Sequence, residues 1–131
     1  MSNYTEKSKD LFLTKNQSNI LNLNNLSGQN LIKFMDEFEL FVKHTGGLLT
    51  NGQARIIYEL IHKADSIEEL QMVRSKVAFV AAKQVNQKTR ELIQDFLQLI
   101  SQTNTTLHKD NVQKFFTSFL HYHKFFHGDK K

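Results

Sequence analysis

Two histidines in this sequence have a spacing that suits metal chemistry. His123 and His127 lie four positions apart, so both imidazoles would project from the same face of a helix. A zinc site needs at least one further ligand, which would have to be His108, His121 or a carboxylate. His121 would project away from the other two by helical geometry. We therefore expect no metal site and no cofactor.

The acidic run Asp36, Glu37 and Glu39 is a second candidate for chemistry. Asp36 and Glu39 would share a helix face, but no other reactive residue type converges on them, and an exposed acidic face is the simpler interpretation. The sequence also has no cysteine, no glycine-rich phosphate loop and no nucleophile elbow. We expect no catalytic residue, and the chain is predicted not to be an enzyme.

Basic residues are the better candidates, and the chemistry that suits them is the binding of RNA phosphates without regard to sequence. Lys76, Lys83 and Arg90 are spaced by seven residues, so they would form one stripe if a single helix continued through Asn86. If the helix breaks near Asn86, only the first two align. The predicted RNA-binding residues are Arg55, Arg74, Lys76, Lys83, Arg90 and Lys124.

The charge of the chain is distributed unevenly. Its net charge is +4, and residues 1–65 carry 7 Lys+Arg against 7 Asp+Glu, whereas residues 66–131 carry 10 against 6. The excess in the second half favours an anionic partner, nucleic acid first. The alternative is a helical protein–protein adaptor, whose basic face docks an acidic protein.

Helices must position these residues, because the chain has no proline, only 5 glycines and apolar residues that recur every three or four positions. Gly46-Gly47 should end the first helix in the left-handed conformation. Thr50 with Gln53, and Ser66 with Glu69, predict capping boxes that open two more. We predict an all-α fold, a compact bundle of about five helices. They cover residues 29–44, a segment from 50, a segment from 66, 88–101 and 109–126.

The first 27 residues differ from the rest, since they contain six asparagines and few apolar anchors. We interpret residues 1–27 as a flexible N-terminal arm with at most one loosely docked turn, and residues 28–131 as a single domain. There is no signal-peptide core, and no apolar run approaches the roughly 20 residues that span a bilayer. A soluble, cytoplasmic protein with no membrane partner is therefore expected.

The last predicted helix has more aromatic residues than one narrow face can hold. Some must line the core, and the others must meet a neighbouring subunit or a ligand. We favour core and interface over base stacking, because helical bundles more often bind nucleic-acid backbones with charge. These residues are Phe115, Phe116, Phe119, Tyr122, Phe125 and Phe126.

Three segments resemble those of a known family. Leu48-Leu49-Thr50 followed by Arg55 is similar to its leucine-threonine helix start with an arginine shortly after. Lys76-Val77-Ala78-Phe79-Val80 resembles its basic-valine-x-phenylalanine-valine helix. The segment Tyr122-His123-Lys124-Phe125-Phe126-His127-Gly128 resembles its aromatic-x-lysine-phenylalanine-aromatic-glycine tail. From about Leu48 onward the chain thus resembles the small helical subunit of the type III-A CRISPR interference complex, the Csm complex.

The resemblance implies a non-catalytic subunit of an antiviral ribonucleoprotein. Such subunits line the channel in which guide RNA and target RNA pair, and they contact backbone subunits, the large subunit and neighbouring copies of themselves. The sequence departs from the family after Val80, where Ala81-Ala82-Lys83 stands in place of the usual alanine-glycine-arginine. Whether Lys83 takes over the contact of that arginine is left open.

Overall fold

The computed structural model describes residues 12–83 and 86–128, and within these ranges the regular elements are all helical. The predicted all-α class is confirmed, with five of the helices at least seven residues long. Residues 12–15 are helical, and short 3₁₀ turns at Leu23–Asn25 and Gly46–Leu48 flank α2. The α-helices are α1 Gln17–Leu21, α2 Gly28–Thr45, α3 Asn51–His62, α4 Ile67–Met72, α5 Arg74–Ala82, α6 Gln87–Ser101 and α7 Thr106–His127.

Helix α7 lies at the centre of the bundle and packs against α1, α2, α3 and α4, while α5 packs against α6 and α3. Phenylalanine rings fill the space between them. The rings of Phe38 and Phe115 stack with centroids 4.6 Å apart, and Phe96 meets the edge of Phe116 at 5.0 Å. The predicted core role of the α7 aromatics is confirmed for Phe115, Phe116 and Phe119. Across the described ranges, no helix combines the length and the apolar character needed to cross a membrane.

The helix starts follow the capping chemistry of the sequence. Thr50 and Gln53 form the predicted capping box, in which each backbone N–H donates to the other side chain, at 2.9 and 3.0 Å. Ser66 accepts from Glu69 N as predicted, but the Glu69 carboxylate accepts from the backbone of Asp65 instead of from Ser66. Of the two hydrogen bonds in the predicted capping box, only the bond from Glu69 N to the Ser66 side chain is therefore present.

The helix predicted from Ser66 onward is divided in two at Val73, which ends α4 and precedes α5. Helix α5 ends at Ala82, and Asn86 caps α6 by accepting from the backbone of Lys88 and Thr89. A single stripe through Lys76, Lys83 and Arg90 is therefore wrong, because Arg90 belongs to another helix. The other expectation, that a break near Asn86 leaves only Lys76 and Lys83 aligned, is the correct one.

The Gly46-Gly47 pair does not end α2 in the left-handed conformation, which is a second correction. Gly46 has a φ of −61° and opens a 3₁₀ turn. Its role is close approach, because a Cβ built at this position would lie 2.8 Å from Cδ2 of His127 and 3.2 Å from Cγ1 of Val42. Glycine is thus required here by the neighbouring imidazole and not by backbone geometry.

Residues 12–27 do not form the predicted flexible arm. Phe12, Leu13, Ile20 and Leu21 are buried in the same core as α2 and α7. The side-chain amide of Asn111 in α7 donates to the carbonyl of Leu21 at 2.8 Å, joining two residues that are far apart in the sequence. The domain therefore begins before residue 28, while residues 1–11 lie outside the described residues.

In several helices, a carbonyl group of the last turn accepts a hydrogen bond from a side chain of another element. The last carbonyls of a helix have no partner within it and must find one elsewhere. Side chains of α7 serve three helices in this way. The bonds are Asn111 to Leu21 at the end of α1, His127 to Val42 in α2, Gln113 to Ile61 in α3, Arg90 to Ala81 in α5, and Gln71 to Ile100 in α6.

The contact between Gly46 and His127 predicts the effect of adding one methyl group. Gly46→Ala should lower the free energy of unfolding by about 1–3 kcal/mol, because the new Cβ overpacks against the imidazole. Urea unfolding followed by circular dichroism measures this. The matched control is Gly52→Ala in the first turn of α3, where the nearest atom would be Thr50 Oγ1 at 3.9 Å. That change should stabilise the chain by about 0.4–1 kcal/mol. Equal effects of the two changes would contradict the assigned contact.

Candidate nucleic-acid interface

A surface groove runs between α3 and α5, with a volume of about 520 Å³. Two of the predicted RNA-binding residues, Lys76 and Lys83, line it and are exposed. Within the part of the chain that the structure describes, no carboxylate lines it, and its two charged groups are both lysines. We call it the basic groove, and it is lined by Gln53, Ile56, Leu60, Ser75, Lys76, Phe79, Val80 and Lys83.

The basic groove contains an aromatic residue that we did not predict as a site residue. Phe79 is 66% exposed, whereas Val77, two positions earlier, is fully buried. The Nζ atom of Lys83 lies 5.9 Å from the centroid of the Phe79 ring, which is the distance of a weak cation–π contact. Helical spacing offered a signal, because Phe79 shares a face with Lys76 and Lys83 and not with Val77.

A second cleft, of about 390 Å³, lies between the first turn of α3 and the last turns of α7. It brings Arg55 and Lys124 together, although they are distant in the sequence. We call it the C-terminal cleft, and among the described residues that line it there is likewise no carboxylate. These are Asn51, Arg55, Leu120, His123, Lys124 and Gly128.

The basic groove and the C-terminal cleft lie on either side of α3. Arg55 lines the C-terminal cleft, and the next residue, Ile56, lines the basic groove and is 49% exposed. An anionic chain that crosses the outer surface of α3 would therefore meet cations on both sides. Glu59, one turn farther along and also exposed, contributes the opposite charge to that surface.

Arg74 and Arg90, the other two predicted residues, line neither feature. Arg90 donates from Nη1 to the carbonyl of Ala81 at 3.1 Å, so it joins α6 to the end of α5. Arg74 donates to Oε1 of Gln71 at 3.0 Å, and the amide nitrogen of Gln71 in turn donates to the end of α6. Both guanidinium groups thus have hydrogen-bonding roles within the fold.

His123 and His127 use their Nε2 atoms within the fold. His123 is buried, and its Nε2 lies 2.9 Å from the carbonyl of Gly46 and 3.0 Å from that of Leu49. Since both partners are acceptors, Nε2 carries the proton. His127 donates in the same way to Val42 at 2.9 Å. In the described part of the chain, no three histidine or carboxylate side chains are grouped as metal ligands.

Burial lowers the pKa of His123 below that of an ordinary histidine, because the charged form is less well solvated inside the protein. The hydrogen bond to Leu49 opposes this, the nearby His127 lowers the pKa further, and the bond to Gly46 opposes it again. The net effect is a neutral imidazole that holds the end of α7 against the turn after α2.

The acidic residues of α2 lie on another part of the molecule. Asp36 and Glu39 are exposed, and Glu37 is within 3.7 Å of the amine of Lys15. Burial raises the pKa of Tyr122, and the charges of Glu39 and Asp36 raise it further, which places the acidic face of α2 near that ring. These carboxylates therefore form a surface patch, with the predicted exposed character for Asp36 and Glu39.

No family model matches the sequence, and no curated protein or solved structure matches the chain. The fold and the two basic features define a small helical bundle with a cationic, partly apolar surface around α3.

The lowered pKa of His123 predicts a dependence of stability on pH. In the unfolded chain its pKa is about 6.5, so the unfolded state binds the proton more readily than the folded state. The stabilisation is present in full above about pH 6.5 and is lost as the pH falls from there toward the lower folded value. We expect the free energy of unfolding, measured in urea, to decrease as the pH is lowered from about 7 to about 5.

His123→Gln replaces the imidazole N–H donor with an amide N–H donor that cannot titrate. The decrease in the free energy of unfolding between about pH 7 and about pH 5 should therefore become smaller. The exposed His121 provides the control, and His121→Gln should leave the dependence on pH as in the wild type. If His123→Gln has the same dependence as the wild type, burial of a neutral His123 is not its cause.

Proposed function

We propose that this chain is a non-catalytic RNA-binding subunit of a type III-A CRISPR effector complex, the Csm complex. It would line the channel for guide and target RNA and contact their backbones without regard to sequence. The basic groove carries the proposal, because two lysines border it and it has no opposing carboxylate. Lysine amines bind phosphates through charge, which suits a subunit that must accept any guide.

The positions of the three family-like segments support the proposal. Thr50 and Arg55 open α3, Lys76–Val80 lies in α5, and the segment from Tyr122 to Gly128 ends α7. Although separated in the sequence, all three border the basic groove or the C-terminal cleft. Segments that resemble one family in sequence thus occupy one region of the surface, as a shared binding role requires.

The remaining parts of the proposal concern the assembly. RNA cleavage and nucleotide chemistry would belong to the backbone and large subunits, and this chain would add a positive wall and protein contacts in the cytoplasm. Phe125, which is 78% exposed on α7, suits a contact with a backbone subunit or a neighbouring copy. The predicted RNA contacts that line the two features are Arg55, Lys76, Lys83 and Lys124, whereas Arg74 and Arg90 lie outside both and each donates a hydrogen bond within the fold.

The triple change Arg55→Ala, Lys76→Ala and Lys83→Ala tests the proposed RNA contacts. The wild type should bind single-stranded RNA of any sequence with an affinity that falls steeply with salt. Removing three phosphate contacts should reduce the slope of log K against log salt concentration by about 2. Fluorescence anisotropy with labelled RNA across a salt series measures this, and circular dichroism checks that helicity is kept.

The matched control removes three exposed lysines that lie outside both features: Lys33, Lys43 and Lys114. It changes the net charge by the same amount, so only a local effect distinguishes the two variants. Equal slopes for the two triple variants would overturn the residue assignment. An absence of RNA binding by the wild type at low salt would overturn the RNA-binding role and favour a protein–protein adaptor.

A further inference from the structure

The ring of Phe79 is the largest apolar group exposed in the basic groove. It lies on the outer side of α5, while Val77 and Ala81 hold the inner side of the same helix in the core. With 66% of its surface exposed, the ring contributes little to packing. A flat face in solvent between charged side chains is a binding surface for another planar group.

The cations on either side of the ring specify the kind of ligand. Lys76 precedes Phe79 by about one helical turn and Lys83 follows it by about one turn, so the Cα atoms of the two lysines are about 10 Å apart along the axis. The contact of 5.9 Å between Lys83 Nζ and the ring centroid places that amine over one face of the ring. The order along the helix is therefore cation, aromatic ring, cation.

The α3 side of the groove is largely apolar. Ile56 and Leu60 of α3 face Val80 and Phe79 of α5 across the groove, and Gln53 adds an amide group. An apolar peptide would fit the walls, but two flanking cations with no carboxylate favour a ligand that is both planar and anionic. A nucleotide combines a planar base with phosphates on both sides of its sugar.

We propose that an unpaired RNA base stacks on Phe79, while Lys76 and Lys83 bind the phosphates on its two sides. The inference rests on the RNA-binding function proposed above and adds a preferred form of ligand. Bases in a duplex are already stacked on one another, and aromatic side chains reach bases in single strands. The basic groove is therefore a site for single-stranded RNA, whereas phosphate contacts alone would accept a duplex equally.

The test compares Phe79→Leu with Phe125→Leu, a matched control at an exposed phenylalanine that is not a lining residue of the groove. The probes are one RNA of mixed sequence as a single strand, the same RNA as a duplex, and the single strand with 2-aminopurine as a reporter. Phe79→Leu should weaken binding of the single strand at least about fivefold. Binding of the duplex should change little, and the salt slope should stay as in the wild type because no charge is removed.

Stacking has two further signatures. The change in 2-aminopurine fluorescence on binding should be lost in Phe79→Leu and kept in Phe125→Leu. Phe79→Tyr, which retains an aromatic face, should restore both the affinity and the fluorescence change. A general loss of structure would not be restored by tyrosine in this selective way.

The outcomes separate this inference from the function on which it rests. If the wild type binds RNA and Phe79→Leu binds both probes as the wild type does, stacking is wrong and the RNA-binding function stands. If Phe79→Leu weakens single strand and duplex equally, the ring is not a stacking surface. If it changes only the sedimentation of the RNA-free protein, the groove is a contact between copies and the proposal is overturned. If the wild type binds no RNA, both proposals fall.

Discussion

The fold depends on hydrogen bonds between side chains and the carbonyl groups at helix ends. The last carbonyls of a helix have no partner within it, and in this bundle several of them accept a backbone N–H from the following turn as well as a side-chain donor from another helix. In this bundle, side chains from other helices donate to those carbonyls. Asn111, Gln113 and His127 of α7 serve three different helices in this way. The same bonds that satisfy the backbone also fix the positions of the helices around α7.

This constraint decides which polar residues remain available for a ligand. Arg90 and His123 look like binding residues in the sequence, yet each is hydrogen-bonded to the end of a helix or to the turn that follows one. Lys76 and Lys83, in contrast, lie on the outer side of α5, whose inner side is buried by Val77. The cations around α3 thus belong to residues that the fold leaves on its surface, whereas His123 is buried in the packing of α7.

Local patterns predicted most of the helices, although they misassigned the role of Gly46 and missed the division of one helix at Val73. Apolar periodicity located the main helices, and Thr50 with Gln53 located the start of α3. Prediction from the sequence failed where contacts between distant residues determine the structure. The Asn-rich residues 12–27 pack against α7 through Asn111 and the core rings, and their local composition does not indicate this. The spacing of Lys76 and Lys83 predicted one basic pair. The same spacing places the exposed Phe79 on the face of Lys76 and Lys83, whereas the meeting of Arg55 with Lys124 depends on the packing of α3 against α7.

The central position of α7 has a consequence for how the protein is made. A ribosome synthesises the chain from its N-terminus, so α1 to α6 emerge before the helix whose side chains bond to carbonyls of α1, α2 and α3 and whose rings pack on Phe38 and Phe96. Until Phe115 emerges, Phe38 can stack on Phe12 but lacks its closer stacking partner, and part of its apolar surface is open to other chains. The nascent bundle therefore cannot close its core during most of translation. Its folding must be completed late, in a step that chaperones can assist and that truncation before residue 106 would prevent.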